Sequence, residues 1–297
     1  MASIRRCSLS QLALKFRAAA LATVMAGVAT LASADPPAAP GNGAFLALGD
    51  SAPFAMIKGD GFAYVNAKNF VGYADYVGRD LRLDTANAAC PGETSSSFIL
   101  PAGADIGCRS FRASFPLHVS YSSTQLDFAT SFLATHKQTR LVTIELGAND
   151  GLLLAQSCHF DPACIQAGLP QAVHTLSLNM DAILRNLRAG FGGVLMVVNY
   201  YSVDYTDPEQ TALSTAINET LAAVAQANNA VVADVFSAFQ TAASSPFAGG
   251  QTCKAGLLNV NPLDPSQMTC DVHPAQSGQL LIANTVEARY QAALLGL

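Results

Sequence analysis

Three residues near the two ends of this 297-residue chain have the types needed for nucleophilic catalysis. Ser51 ends a Gly-Asp-Ser tripeptide that directly follows the apolar run 45–48, whereas Asp271 and His273 lie near the other end of the chain. A serine hydroxyl becomes a good nucleophile only when an adjacent base takes its proton. An acidic side chain can orient that base and stabilise its charged form. The residue types therefore predict acyl-transfer chemistry, with Ser51 as nucleophile, His273 as base and Asp271 as the acid.

A further block lies midway along the chain, where a Gly-Ala-Asn-Asp sequence containing Asn149 follows the apolar run 141–146. The three blocks stand in the order and spacing of the SGNH hydrolases, also called the GDSL esterase and lipase family, and the chain resembles this family over most of its length. The resemblance implies three hydrogen-bond donors for the oxyanion of a tetrahedral intermediate. These donors are the backbone N–H of Ser51, the backbone N–H of Gly92 and the side-chain amide of Asn149.

Two of these assignments have alternatives. Gly92 lies in a Cys-Pro-Gly-Glu-Thr segment that looks like the family's second block, but a proline-glycine pair is also a common turn. In the commonest family pattern the acid lies three residues before the histidine, whereas here that position is Cys270 and Asp271 is only two residues before His273. The alternative to a triad is a dyad of Ser51 and His273, in which a backbone carbonyl orients the imidazole.

The elements that must position these residues follow from the hydrophobic pattern. Short apolar runs without clean alternation are typical of strands that are buried on both faces of a parallel sheet. Such runs occupy residues 45–48, 141–146, 194–198 and 231–235. Helical patterns separate them, and predict one helix that ends near Gly190, one that begins after an Asp207 cap, and one over about 275–295. This alternation predicts an α/β fold, a three-layer α/β/α sandwich with a central parallel sheet, and the family resemblance implies its flavodoxin-like form.

The stretch 52–123, between the first two of these strands, is rich in glycine and serine, so we expect it to form loops over the site. Ser51 and Asn149 each follow a strand directly, and functional groups in such sheets collect at the carboxyl ends of the strands. Several apolar side chains just after Ser51 are candidates either for an acyl pocket or for the core. They are Phe54, Met56, Ile57, Phe62 and Tyr64.

Residues 1–34 have the layout of a secretory signal, since basic side chains precede an uncharged stretch and an Ala-Ser-Ala motif ends at Ala34. The uncharged stretch, 18–32, is shorter than the roughly 18 to 20 apolar residues that a membrane-spanning helix needs. We therefore expect export, by either the general or the twin-arginine route, with cleavage near Ala34 and no stable membrane anchor. A flexible, proline- and glycine-rich N-terminus, 35–43, would then precede a single hydrolase domain at 44–297.

The charge balance argues against nucleic acid as a partner. The chain has 16 lysines and arginines against 21 acidic residues, and four of the basic residues lie in 1–34, so the remainder has a formal charge of −9. Such a surface repels phosphate backbones and anionic headgroups. The sequence indicates no metal and no organic cofactor.

The chain has seven cysteines, and six remain once Cys7 leaves with the signal. An even number of cysteines in an exported chain indicates disulfides. The six positions fall into sequence-local couples, and the family resemblance also favours the pairs Cys90–Cys108, Cys158–Cys164 and Cys253–Cys270. Zinc binding is the alternative, but no CxxC or HxxxH spacing supports it.

Together these patterns predict a secreted serine hydrolase that cleaves carboxylic esters, of small molecules or lipids, through an acyl-enzyme on Ser51. A carbohydrate O-acetyl esterase would use the same site residues and would differ only in its pocket. A non-catalytic exported binding protein is the alternative from another class. A decayed site would have little reason to keep Ser51, Asn149 and His273 together, which argues against that alternative.

Overall fold

The computed structural model describes residues 43–59, 63–260 and 269–297, and five strands within these ranges form one parallel sheet. In chain order they are β1 (Ala44–Gly49), β2 (Asp84–Asn87), β3 (Thr139–Glu145), β4 (Val194–Val198) and β5 (Val231–Ala233). Their order across the sheet is β2-β1-β3-β4-β5, so the direction of strand addition reverses between β1 and β3. This is the flavodoxin-like order, in which ligands bind beyond the carboxyl ends of the strands at the switch point.

Helices connect the strands and cover both faces of the sheet. They are α1 (Ser51–Phe54), α2 (Tyr73–Leu81), α3 (Ser95–Ile99), α4 (Cys108–Ser114), α5 (Gln125–Thr135), α6 (Ala148–Ser157), α7 (Pro162–Gly190), α8 (Pro208–Ala227), α9 (Val235–Ala243) and α10 (Gln276–Leu294). Two single 3₁₀ turns lie at Ala63–Val65 and Ala67–Asn69. A separate antiparallel pair consists of β6 (Leu258–Val260) and β7 (Cys270–Pro274).

Alternate side chains of the same strand enter opposite cores, which gives the protein three layers. On β1, Leu46 and Leu48 pack in a core with α3, α5, α7 and α8, whereas Phe45 and Ala47 pack in a core with α2, α9 and α10. All four side chains are fully buried. Side chains of a strand alternate between the two faces of its sheet, so a strand covered on both faces is apolar throughout. The predicted α/β/α sandwich around a parallel sheet is confirmed.

The predicted strands correspond to β1, β3, β4 and β5, and the helix predicted over about 275–295 is α10. The predicted cap of α8 is also present, because the Asp207 side chain accepts hydrogen bonds from the backbone N–H groups of Glu209 (2.9 Å) and Gln210 (3.2 Å). The helix that ends at Gly190 begins earlier than the apolar pattern indicates, at Pro162.

The prediction that the stretch 52–123 forms loops is wrong in part, since β2 and the helices α2, α3 and α4 lie within it. The strand β2 has the sequence Asp-Thr-Ala-Asn and borders the sheet, with its first two side chains exposed. An edge strand of this kind has no apolar run, so hydrophobic patterning does not reveal it.

The predicted signal segment 1–34 lies outside the described residues, and so does the predicted flexible segment 35–43 apart from Gly43. The carbonyl of Gly43 accepts a hydrogen bond from the backbone N–H of Asp84 (2.9 Å) at the start of β2. Within the described ranges, no helix is both long enough and apolar enough to cross a membrane.

Three disulfides join the sequence-local couples of cysteines, namely Cys90–Cys108, Cys158–Cys164 and Cys253–Cys270. The first joins the segment after β2 to the start of α4, and the second spans the connection between α6 and α7. The third joins the first residue of β7 to a segment that precedes β6. It therefore ties the small antiparallel pair to the rest of the domain.

Candidate active site

Ser51 is the first residue of α1 and lies directly beyond the carboxyl end of β1. The chain turns sharply at Gly49, whose φ is +131°, and a β-carbon there would lie 2.0 Å from the backbone oxygen of Glu145 on β3. Only glycine fits this close approach. The Asp50 side chain then caps α1 by accepting a hydrogen bond from the backbone N–H of Ala52 (3.1 Å). This turn places Ser51 in the wall of a cavity.

His273 and Asp271 lie on β7 and line the same cavity. The Nε2 atom of His273 lies 2.9 Å from the Oγ atom of Ser51, although 222 positions separate the two residues in the sequence. The Nδ1 atom of His273 lies 2.8 Å from an Asp271 carboxylate oxygen. The group that contacts Nδ1 is therefore a carboxylate. The dyad alternative would place a backbone carbonyl there instead.

Asp271 is placed to act as an anion. Partial burial raises the pKa of its carboxyl, but the hydrogen bond from His273 and the nearby imidazole charge outweigh burial and hold the pKa below its ordinary value. Its second oxygen accepts a hydrogen bond from the backbone N–H of Val272 (2.6 Å). A carboxylate in this position fixes the orientation of the imidazole and stabilises its protonated form.

Ser51, Gly92 and Asn149, from which the predicted oxyanion donors come, also line the cavity. Asn149 lies at the start of α6, beyond the carboxyl end of β3, and its Nδ2 atom donates one hydrogen bond to the backbone oxygen of Glu93 (2.8 Å). A side-chain amide has two N–H hydrogens, so one remains for a ligand. In the ranges that the structure describes, neither the Ser51 nor the Gly92 backbone N–H donates to a protein acceptor.

Asp150, next to Asn149, braces this loop. Its carboxylate accepts hydrogen bonds from the backbone N–H (2.9 Å) and the Oγ (2.5 Å) of Ser95 on α3. The Asn179 side chain on α7 donates to the same Oγ (2.9 Å). These contacts tie the start of α6 to α3 and α7.

The cavity has a volume of about 830 Å³ and largely apolar walls. Met56 lines it, whereas Phe54 is fully buried and packs edge-on against Phe111 with ring centroids 5.2 Å apart. Tyr64 is also buried behind the wall, Ile57 is exposed outside the cavity, and Phe62 lies outside the described residues. Apolar walls come instead from residues that the sequence did not single out. They include Ile106, Phe111, Phe115, Leu152, Leu213 and Ile217.

Two buried carboxyl groups lie beneath Ser51. Burial raises the pKa of Asp50 to about 6, although a hydrogen bond from the Tyr200 hydroxyl (2.6 Å) acts in the opposite direction. Burial, and then repulsion from Asp50, raise the pKa of Glu145 well above its ordinary value. Neither carboxyl oxygen of Glu145 has a hydrogen-bond partner among the described residues, and burial without a partner disfavours the charged form of the group.

Two buried glutamines, which the sequence analysis did not predict, form hydrogen bonds with the backbone on either side of Ser51. Gln279 on α10 donates from Nε2 to the backbone oxygen of Ala52 (2.9 Å) and accepts from the backbone N–H of Tyr73 (2.8 Å). Gln125 on α5 contacts Gly49 in the same two-sided way. The available signal is a glutamine in an otherwise apolar face of a helix, which marks a buried amide that needs partners.

Within the described residues, one cluster has the residue types of a metal site, namely Cys90, Glu93 and Cys108. Its two sulfur atoms are joined to each other in a disulfide. Thiolates, and not disulfide sulfurs, are the usual metal ligands, so this cluster does not fit a metal ion.

The sequence model of the GDSL-like lipase/acylhydrolase family matches residues 47–281. Among solved structures, a phospholipase A1 from Streptomyces albidoflavus aligns with a TM-score of 0.56 and 18% identity over 83% of this chain and 99% of that chain. An extracellular lipase from Streptomyces rimosus aligns with a TM-score of 0.53 and 17% identity over 83% of this chain and 99% of that chain.

An acetylxylan esterase from Geobacillus stearothermophilus aligns with a TM-score of 0.50 and 15% identity over 84% of this chain and 94% of that chain. No curated protein matches the sequence. At these identities the structural neighbours establish the fold, and the family match covers most of the chain. The protein therefore belongs to the GDSL-like lipase/acylhydrolase family.

Proposed function

We propose that this protein is an exported serine hydrolase that cleaves carboxylic esters through an acyl-enzyme on Ser51. The observation that carries the proposal is the 2.9 Å contact between Ser51 Oγ and His273 Nε2. A nucleophile within hydrogen-bond reach of a base that is itself held by an acid is the arrangement that activates a serine.

In the proposed reaction, Ser51 Oγ attacks the ester carbonyl carbon while its proton passes to His273 Nε2. The oxyanion that forms accepts hydrogen bonds from the N–H groups of Ser51, Gly92 and Asn149. The imidazolium then gives its proton to the departing alcohol, which leaves the acyl group on Ser51. In the second half of the cycle His273 takes a proton from water, which attacks the acyl carbon; the bond from that carbon to Ser51 Oγ then breaks, the acid leaves, and His273 returns the proton to Ser51 Oγ. Donors of this kind each contribute about 3 to 4 kcal/mol to the stability of the transition state.

The cavity walls favour an acyl group longer than acetyl. The volume of about 830 Å³ lies within the usual range of roughly 300 to 1,000 Å³ for ligand pockets, and apolar residues from several separate segments line it. An acetyl group would leave most of that apolar surface in contact with water. A longer acyl chain would cover it and gain free energy in proportion to the area covered.

The test is hydrolysis of p-nitrophenyl butyrate by the purified protein and by Ser51→Ala. We expect activity in the first and a loss of about 10⁶-fold in kcat in the second, as in other serine hydrolases that lose the nucleophile. Ser214→Ala is the matched control, because Ser214 lines the same cavity without contact to His273. Equal rates for wild type and Ser51→Ala would remove Ser51 from the mechanism.

A series of p-nitrophenyl esters from acetate to palmitate, with acetylated xylan beside it, tests the acyl preference. We expect kcat/KM to rise beyond acetate, because each added methylene buries further apolar surface. A preference for acetate and for acetylated xylan would assign the site to the O-acetyl esterase alternative instead.

Export is supported by the composition of residues 1–34 and by the three disulfides, since disulfides persist in oxidising compartments. Expression of the full chain in a secreting host, followed by N-terminal sequencing, tests this part of the proposal. The expected mature N-terminus is at or near Asp35. An N-terminus at Met1 in the cell-associated fraction would contradict it.

A further inference from the structure

Gln125, the first residue of α5, is hydrogen-bonded to the backbone of Gly49, just before Ser51 in the chain. Its Oε1 atom accepts a hydrogen bond from the backbone N–H of Gly49 (2.6 Å), and its Nε2 atom donates to the backbone oxygen of Gly49 (3.0 Å). Gln125 is fully buried, and 76 positions separate it from Gly49 in the sequence. One side chain therefore fixes both polar groups of the residue that lies two positions before Ser51.

The same Nε2 atom of Gln125 donates its second hydrogen to a carboxyl oxygen of Glu93 (3.1 Å). Glu93 is only 2% exposed, and its other carboxyl oxygen accepts a hydrogen bond from the Ser97 hydroxyl (2.5 Å). An amide nitrogen has two hydrogens, so Gly49 and Glu93 together use all the donors of Gln125. The link between the two residues is thus complete and has no spare donor.

Glu93 in turn reaches two of the proposed oxyanion donors. It directly follows Gly92 in the chain, and its backbone oxygen accepts the hydrogen bond from the Asn149 side-chain amide (2.8 Å). That contact sets the plane of the Asn149 amide, and so sets the direction of its remaining hydrogen. Gly49 ends β1, Gly92 lies in the turn between β2 and α3, and Asn149 lies in the first turn of α6, and the Gln125–Glu93 link connects these three segments.

Burial of the polar side chains of Gln125 and Glu93 costs stability, and the needs of core packing do not explain why polar residues stand at these positions. Neighbouring positions on the same face of α5 carry apolar residues, Leu126, Ala129 and Leu133, which pack in the core. Buried polar groups lower stability unless they are fully hydrogen-bonded, so an apolar residue at 125 would be the simpler choice for packing. Burial also raises the pKa of Glu93 to about 7, against the hydrogen bonds from Ser97 and Gln125.

We propose that Gln125 and Glu93 are positioning residues that set the geometry between the Ser51 nucleophile and the oxyanion donors of Gly92 and Asn149. This inference rests on the proposed function. Neither side chain touches substrate, and both act through the backbone of Gly49 and the amide of Asn149. Their removal should weaken binding of the transition state while leaving binding of the ground-state ester nearly unchanged.

The experiment compares Gln125→Met, Glu93→Ala and Glu93→Gln with wild type. Methionine keeps the volume of the glutamine side chain but has no strong donor or acceptor. Glutamine at position 93 keeps the hydrogen-bonding shape of a neutral carboxyl group. Rates with p-nitrophenyl butyrate are divided by the concentration of sites that a fluorophosphonate titrates, so that unfolded protein does not enter the comparison.

We expect Gln125→Met and Glu93→Ala to lower kcat by about 10²-fold with KM within about threefold of wild type, the loss that a misplacement of roughly 1 Å produces. The Ki of an alkyl boronic acid should rise in parallel with the loss in kcat, because its tetrahedral adduct needs the same donors. Glu93→Gln should restore kcat to within about threefold of wild type, since its amide oxygen still accepts from Gln125 Nε2 and its amide nitrogen can donate to the Ser97 hydroxyl oxygen in place of the bond that Glu93 accepts.

Asn228→Ala is the matched control, because it removes a buried amide that bonds to Val224 and Asp181 and does not line the cavity. It should leave kcat per titrated site unchanged. Wild-type kcat in Gln125→Met, or a Glu93→Gln variant as slow as Glu93→Ala, would overturn the positioning role while leaving the serine mechanism in place. Undiminished hydrolysis by Ser51→Ala would instead overturn the proposed function, and the positioning role with it.

Discussion

Ser51 and His273 lie 2.9 Å apart, but the segments that carry them are anchored in different ways. The Ser51 segment continues from β1, a strand with a neighbour on each side, and Gly49 and Asp50 before it are buried and hydrogen-bonded to other elements. The His273 segment is β7, which among the described strands pairs with β6 alone, and Val272 beside the histidine is 55% exposed.

Local bonds hold the His273 segment in place. The Cys253–Cys270 disulfide fixes its first residue, and the Tyr201 hydroxyl donates to the backbone oxygen of Val272 (2.5 Å). The position of Ser51 thus depends on packing across the whole core, and the position of His273 depends on a few bonds near the surface. Substitutions in the first segment should therefore lower stability, whereas substitutions of the His273 and Asp271 side chains in the second should lower activity with little effect on stability.

His273→Ala should have the largest effect on activity. We expect kcat to fall by about 10⁶-fold, because the serine loses its base, and by only about 10⁴-fold in Asp271→Ala, because the base loses its orienting acid alone. The free energy of unfolding should change by less than about 1 kcal/mol in both, as for most substitutions outside the core. Ester hydrolysis and urea unfolding measure the two effects, and a large loss of stability in His273→Ala would erase the contrast between the segments.

Gly49→Ala tests the other segment. A β-carbon at this position would lie 2.0 Å from the backbone oxygen of Glu145, and backbone in a central strand cannot move away cheaply. We expect a loss of more than about 4 kcal/mol in the free energy of unfolding, a size reserved for severe steric or buried-group defects.

The matched control for Gly49→Ala is Gly249→Ala, which also has a positive φ (+58°) but no atom within 4 Å of the added carbon. There the strain of the left-handed conformation alone should cost about 1 to 2 kcal/mol. Equal losses at the two glycines would show that the close approach of β1 and β3 is not what makes the Ser51 segment rigid.

Removal of the Cys253–Cys270 disulfide by paired alanine substitutions should lower stability by about 3 kcal/mol, as expected for a loop of this length. It should also lower kcat by about tenfold, because a loosened β7 lets the imidazole drift from Ser51. Alanine substitutions at Cys158 and Cys164, which close a six-residue separation away from the cavity, should cost about 2 kcal/mol and leave kcat unchanged. Equal losses of kcat on removal of the two disulfides would show that the Cys253–Cys270 bond has no special role in holding His273 near Ser51.

The smallest effect concerns pH. Burial raises the pKa of Asp50 from 3.8 to about 6, so its contribution to stability is fully present at low pH and is lost as the pH rises through 6. Between pH 5 and 7, wild type should lose roughly 1 kcal/mol more of its unfolding free energy than Asp50→Asn, which cannot ionise. Urea unfolding across this range measures the difference, and parallel curves for the two proteins would contradict the buried position of the charge.

The hydrophobic pattern of the sequence predicts which residues lie at the carboxyl ends of the strands. Ser51 and Asn149 each follow a run of residues that is apolar on both faces, so their place at the carboxyl ends of β1 and β3 follows from the sequence. The pairing of Ser51 with His273 does not follow from periodicity, because β7 is short and half exposed. There the family resemblance supplied the expectation, and the 2.9 Å contact agrees with it.

The supporting residues could not be predicted in this way. Gln125 and Gln279 hold backbone groups that are 76 and 227 positions away, and no local pattern encodes a partner at such a distance. Glu145 ends the largely buried strand β3, and its carboxyl oxygens have no hydrogen-bond partner among the described residues, so the burial of this side chain contradicts the usual preference of carboxylates for water. The polar strand β2 was missed because its stability comes from pairing with β1 and not from its own side chains.

The two borders of the parallel sheet affect how copies of the protein behave toward each other. An unpaired strand edge is a template on which a second chain can add a strand and begin an aggregate. Here one border, β2, begins with the exposed polar residues Asp84 and Thr85, and the other, β5, is only three residues long. Neither offers a long apolar edge for a strand from another copy, so concentrated solutions should resist sheet-to-sheet growth.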